Sequence, residues 1–122
     1  MNGNETKYIY GLICPIELKV KYIGQSIDPI RRRMDMLCDS PKRYAKTYWI
    51  RALMSVGLKP ILYIFTTCNS KDALKIELDH ILKYKPRYNR EIQKLCAWYD
   101  KEKYLKEKEY TDNLINKYLQ LS

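Results

Sequence analysis

Apolar and polar positions change their period several times along this chain, and each change marks an element. Residues 7–14 (KYIYGLIC) and 20–24 (VKYIG) combine aromatic and β-branched side chains around a loop containing Pro15, which predicts two short strands paired as a hairpin. Asp28-Pro29 is a capping residue followed by a proline suited to the first helical position, so a helix begins there, with Ile30, Met34 and Leu37 on its inner face. Asp39-Ser40-Pro41 ends it. From Pro41 to Val56, Tyr44, Ala45, Tyr48, Trp49, Ala52, Leu53 and Val56 recur at i, i+3, i+4, which predicts a second helix stopped by Gly57. The run ILYIFTTC after Pro60 is almost wholly apolar and is expected as the central strand of its sheet. A third helix is expected over 71–85, closed by Pro86, and a longer one from Ala97 to Leu121 with a mixed-charge middle. The order β-β-α-α-β-α-α describes a mixed α/β (α+β) fold: a small three-stranded, mainly antiparallel sheet flanked by helices, with a long C-terminal helix.

Composition adds charge to this picture. The 122 residues predict one domain, and 23 Lys and Arg against 14 Asp and Glu give a net charge of +9. That excess points to a polyanionic partner. It lies wholly upstream of Ala97, because residues 97–122 carry five charges of each sign. The break sets a second way to divide the chain: a core domain of 7–96 and a helical extension of 97–122. No run is long and apolar enough for a membrane span or signal peptide, so a soluble, intracellular (cytoplasmic) protein is expected with no membrane partner. Cys14, Cys38, Cys68 and Cys96 form no CxxC pair and accompany a single histidine, a pattern that fits a reducing compartment better than a disulfide framework or zinc site.

Two groups of residues invite chemistry. Glu77 sits in the third predicted helix among Ala73, Leu74 and Ile81, where a carboxylate either meets a cation or reaches the rim and finds water or lysine. Tyr10, Tyr22 and Gly24 on the hairpin precede Arg31, Arg32 and Arg33, and arginines downstream of a strand-ending glycine suit phosphate. Three adjacent arginines cannot all face one site, and most of the 12 tyrosines must serve packing.

Taken in order, these residues resemble the GIY-YIG endonuclease family. Tyr8-Ile9-Tyr10 stands where the first motif stands, and Tyr22-Ile23-Gly24 matches the second, twelve residues beyond Tyr10. The family arginine matches Arg32, ten residues past Tyr22; the metal-binding glutamate matches Glu77 in ALKIELDHILKYKP; the closing asparagine matches Asn89 in PRYN. The resemblance spans about residues 7–90. Tyr8 replaces the first motif's glycine, and Met36 stands where many relatives carry His or Tyr one turn after the arginine.

The resemblance implies a stand-alone nuclease of the kind found in phages and mobile elements. It would hydrolyse a DNA phosphodiester with one divalent cation, Mg²⁺ (or Mn²⁺), held by Glu77 and otherwise by water and phosphate. Arg32 would offset charge on the phosphate oxygens. Tyr22 would be the general base or a proton relay, with Tyr10 bonded to it. An unperturbed phenol is about one part in a thousand ionised at pH 7, a handicap of roughly 4 kcal/mol, so a base role needs cations nearby. Asn89 either ties its loop to the site or touches substrate. His80 either packs or orders water, and Gln25 and Ser26 are polar groups within reach of phosphate. Arg31, Arg33, Lys42, Arg43, Lys46, Lys85, Arg87 and Arg90 are expected to grip DNA through phosphates. Leu114, Ile115, Tyr118 and Leu119 would either pack on the domain or form a homodimer through the C-terminal helix. The rival function is a nucleic-acid-binding module that keeps the fold without the reaction.

Overall fold

The computed structural model describes residues 5–38, 45–89 and 101–121. Strands β1 (Thr6–Ile13), β2 (Val20–Ser26) and β3 (Ile61–Asn69) form one antiparallel sheet in the order β2-β1-β3. Helices α1 (Pro29–Cys38), α2 (Ala45–Ser55), α3 (Ala73–Tyr84) and α4 (Lys101–Leu121), with a 3-10 turn at Arg87–Asn89, complete the mixed α/β fold among the described residues. None of these helices is long and apolar enough to cross a membrane.

The expected hairpin is present, with Tyr10 opposite Gly24 and Leu12 opposite Tyr22. The central strand is β1, however, which corrects the expectation for β3. Ile9, Tyr10 and Leu12 are buried on alternate faces of β1, whereas Ile61, Tyr63 and Ile64 of β3 stay 41–53% exposed at the sheet edge. An apolar run thus marked an edge strand, because helices cover both faces only above β1 and β2. On one face Tyr10 and Leu12 join Met36, Leu37, Trp49, Ile50 and Leu53 in the main core. On the other, Ile9 and Ile23 pack with Ala73, Ile76 and Ile81 of α3.

Capping residues fix the helix ends as the sequence implies. Asp28 Oδ1 accepts the Arg31 N–H at 3.2 Å, and Pro29 opens α1. Gly57, at φ +80°, lets the chain turn after α2. The inner face of α1 differs from expectation: Pro29, Met36 and Leu37 are buried, while Ile30 and Met34 are 66% and 58% exposed. The helix is rotated so that Arg33 turns inward, where its Nη1 donates to the Pro60 carbonyl at 3.0 Å.

Helix α4 lies against α2. Ile115 enters the main core with Leu114 packed beside it, and Tyr48 Oη donates to Asp112 at 2.5 Å. Trp98, Cys96 and the predicted start of this helix at Ala97 lie outside the described residues.

Candidate functional site

Antiparallel pairing brings Tyr10 and Tyr22 to the same face of the hairpin, and α1 leaving β2 carries Arg32 back over it. The rings of Tyr10 and Tyr22 are 6.3 Å apart at 53°. Gly24 explains why they can sit so close to the strand. A Cβ there would fall 2.8 Å from Tyr10 Oη and 3.0 Å from Tyr22 Cε2, so any side chain would displace the Tyr10 hydroxyl and crowd the Tyr22 ring. Arg32 lies close enough to the Tyr10 hydroxyl, and Tyr10 to that of Tyr22, for each to favour the neighbour's ionised form. Glu77, from α3, is half-buried and receives Gln25 Nε2 on its Oε2 at 3.0 Å, while Gln25 Oε1 accepts Lys7 Nζ at 3.2 Å. Four elements thus supply two phenols, a guanidinium and a carboxylate whose charge reaches both phenols.

Electrostatics keep both phenols protonated. Burial pushes Tyr10 well above the ordinary tyrosine value and the neighbouring Tyr22 adds to this, with Arg32 pulling the other way. Burial likewise raises Tyr22, the Glu77 charge raises it further, and Arg32 and the bond to Tyr10 oppose both. Lys46, expected in the DNA grip, stands with its Nζ 4.1 Å from the Tyr22 ring centroid. Nothing in its sequence position at the start of α2 signalled that contact.

Asn89 acts as a side-chain substitute for a neighbouring strand. Its Oδ1 accepts the Ile23 N–H at 2.5 Å and its Nδ2 donates to the Ile23 carbonyl at 2.6 Å, pinning the free edge of β2 between Tyr22 and Gly24. Asn89→Ala is expected to cost about 1–3 kcal/mol, because both backbone groups lose their partner at once. Urea unfolding of the variant measures it, and a loss below about 0.5 kcal/mol would show that water replaces the amide without cost.

The remaining candidates divide. Ser26 Oγ accepts the Asp28 N–H at 3.0 Å and serves the turn rather than the site. The His80 Nδ1–H donates to the Ile76 carbonyl at 2.8 Å, and its ring joins those of Phe65 and Tyr84 in one cluster. Met36 is 3% exposed within the core. Tyr8 lines a 330 Å³ apolar cleft with Ile27, Ile30, Leu62 and Ile64. Arg31 and Lys85 are exposed, Arg33 is engaged with Pro60, and Arg87 Nε meets Glu107 at 2.5 Å. Lys42, Arg43 and Arg90 lie outside the described residues.

Among the described residues, no three His, Cys, Asp or Glu side chains gather as a ligand set. Glu77 offers one carboxylate, held by the amide nitrogen of Gln25, and a lone oxygen donor of this kind suits a hard divalent cation that keeps most of its waters. A single carboxylate fits magnesium or manganese chemistry better than zinc, which takes three or four protein ligands. Comparison of the chain with protein-family models, curated proteins and solved structures returned no match.

Proposed function

We propose that this chain is a metal-dependent DNA endonuclease of the GIY-YIG type, hydrolysing phosphodiester bonds at Tyr10, Tyr22, Arg32 and Glu77. The observation that carries the reading is the pair of tyrosines packed over Gly24 with Arg32 on Tyr10 and the Glu77 charge felt at both phenols, in a protein of net charge +9. Structural packing alone gives no reason to hold a carboxylate within electrostatic reach of a buried and a half-buried phenol and an arginine. Phosphate chemistry does.

In this reading Arg32 binds the non-bridging oxygens of the scissile phosphate, and Tyr10 fixes the Tyr22 hydroxyl by hydrogen bond. Tyr22 Oη handles the proton of the attacking water, with Arg32 and Tyr10 countering the upward pull of burial and Glu77. Glu77, oriented by Gln25, would hold Mg²⁺ or Mn²⁺. A divalent cation there supplies charge neutralisation to the phosphate and the leaving 3′ oxygen. Asn89 holds the strand that carries Tyr22, and so contributes position rather than contact. Arg31 and Lys85 add affinity without sequence information.

One observation favours a second reading, a nucleic-acid-binding module without catalysis: Met36 is in the core, so its position brings neither imidazole nor phenol to the site. Supercoiled plasmid incubated with purified protein separates the two. Nicked circles that appear with Mg²⁺ or Mn²⁺ and vanish in EDTA are expected. Plasmid that stays supercoiled in every divalent metal and at every pH, while still shifting on a gel, would establish the binding module instead.

A further inference from the structure

At the far end of β2 from Gln25, a cleft of 510 Å³ opens between the β1–β2 loop, the end of α3 and the side of α4. Lys19, Lys21, Lys85 and Arg87 line it, together with Tyr84 and Tyr110. Two of the cations are fixed in its floor. Lys21 is 4% exposed and holds Glu17 at 2.6 Å and the Tyr110 hydroxyl at 2.9 Å. Arg87 bonds Glu107, and its guanidinium carbon lies 3.7 Å from the Tyr110 ring centroid. Both carboxylates are thus occupied by these partners. Lys19 and Lys85 stand exposed at the rim, and Tyr84 leaves 40% of its surface open.

The backbone singles out the same place. Among the described residues, the non-glycine positions with positive φ are Leu18 (58°) and Lys85 (48°), and both line this cleft. Each closes a turn, Leu18 N–H to the Cys14 carbonyl and Lys85 N–H to the Ile81 carbonyl, a task that glycine performs with less strain.

We propose that this cleft is a second contact for nucleic acid, holding the phosphate backbone of the strand that leaves the Tyr10, Tyr22 and Glu77 site and passes outside the 3-10 turn that covers the edge of β2. The inference rests on the endonuclease reading and names where its substrate travels. Lys21 and Gln25 are about 13 Å apart along β2, and Glu77 and Lys85 about 12 Å apart along α3, so both elements set the cleft a few nucleotides from the candidate reaction centre. Paired lysines track phosphates, and Tyr84, held by the Phe65 and His80 rings, keeps 40% of its surface open for a sugar or base to touch.

The test compares wild-type protein with a Lys19→Ala/Lys85→Gly variant, the glycine chosen because it accepts the backbone at position 85. A Lys101→Ala/Lys117→Ala variant removes the same charge from exposed positions on α4. Binding of a fluorescent single strand of about 16 nucleotides is measured in EDTA across salt concentrations. The cleft variant is expected to bind at least about tenfold more weakly, with a salt slope shallower by about 1.4 for two lost contacts. Wild-type affinity and slope would overturn the proposal, as would an equal loss in the α4 variant, which would show an effect of bulk charge alone. Plasmid nicking assayed alongside tells the two readings apart. A lost contact without cutting by the wild type leaves the cleft standing and removes the nuclease. Cutting with an unaltered salt slope does the reverse.

Discussion

Glu77→Gln is expected to reduce metal-dependent cleavage by about a thousandfold while DNA affinity stays level or rises slightly. The substitution keeps the shape of the side chain, and its amide oxygen can still accept the bond that Gln25 Nε2 now makes at 3.0 Å. What disappears is the negative charge, and with it the anionic oxygen of the donor set. The same charge raises Tyr22 and, to a smaller degree, Tyr10, so its removal lets both phenols fall toward their ordinary value. Easier ionisation of Tyr22 would favour a base, and a loss of activity in spite of it would therefore assign Glu77 to holding the cation. Single-turnover cleavage under saturating metal, alongside binding in EDTA, gives both quantities. Full activity in this variant would reduce Glu77 to a partner that orders Gln25.

The sequence signals that translated into structure were the local ones. Asp28-Pro29 and Gly57 act through the backbone of their own turns, so no distant partner can override them. The aromatic and β-branched residues of KYIYGLIC and VKYIG likewise located β1 and β2, because a hairpin pairs neighbours in sequence. Tertiary choices were not legible in the same way. The apolar run of β3 reads as a central strand, but which strand lies in the middle depends on where α3 and α2 settle, and those contacts are non-local. The rotation of α1 has the same origin: Arg33 satisfies the Pro60 carbonyl, an acceptor supplied 27 positions later. At the candidate site, motif order named Tyr10, Tyr22, Arg32, Glu77 and Asn89, and the charges of Arg32 and Glu77 reach both tyrosines while Asn89 braces the strand that carries Tyr22. Neither periodicity nor charge could have found the Lys46 contact on Tyr22 or the diversion of Arg87 to Glu107, since each depends on a helix packing across the chain.

Removing residues 101–122 is expected to abolish cooperative folding rather than yield a trimmed, working domain. Ile115 is 9% exposed in the same cluster as Trp49 and Leu53, and loss of a buried Ile side chain alone costs about 2–5 kcal/mol. Polar ties compound it. Tyr110 bonds Glu17 and Lys21, Glu107 bonds Arg87, and Asp112 bonds Tyr48, so truncation strips partners from four residues of the remaining chain. Lys21 is the most exposed to harm, being nearly buried and next to Tyr22, and it would keep Glu17 alone. Together these losses reach the 5–15 kcal/mol that holds a typical domain. Circular dichroism melts and sedimentation of the truncated chain should show a missing transition and aggregation, with the candidate site lost as well. If α4 instead served chiefly to join two copies through its outer residues Leu105, Leu119 and Leu121, each at least 47% exposed, the truncated protein would melt cooperatively as a monomer. It would also convert plasmid to nicked circles without linear product, because one site cuts one strand per encounter. The partners that α4 already has within its own chain, from β2 to the 3-10 turn after α3, argue for unfolding.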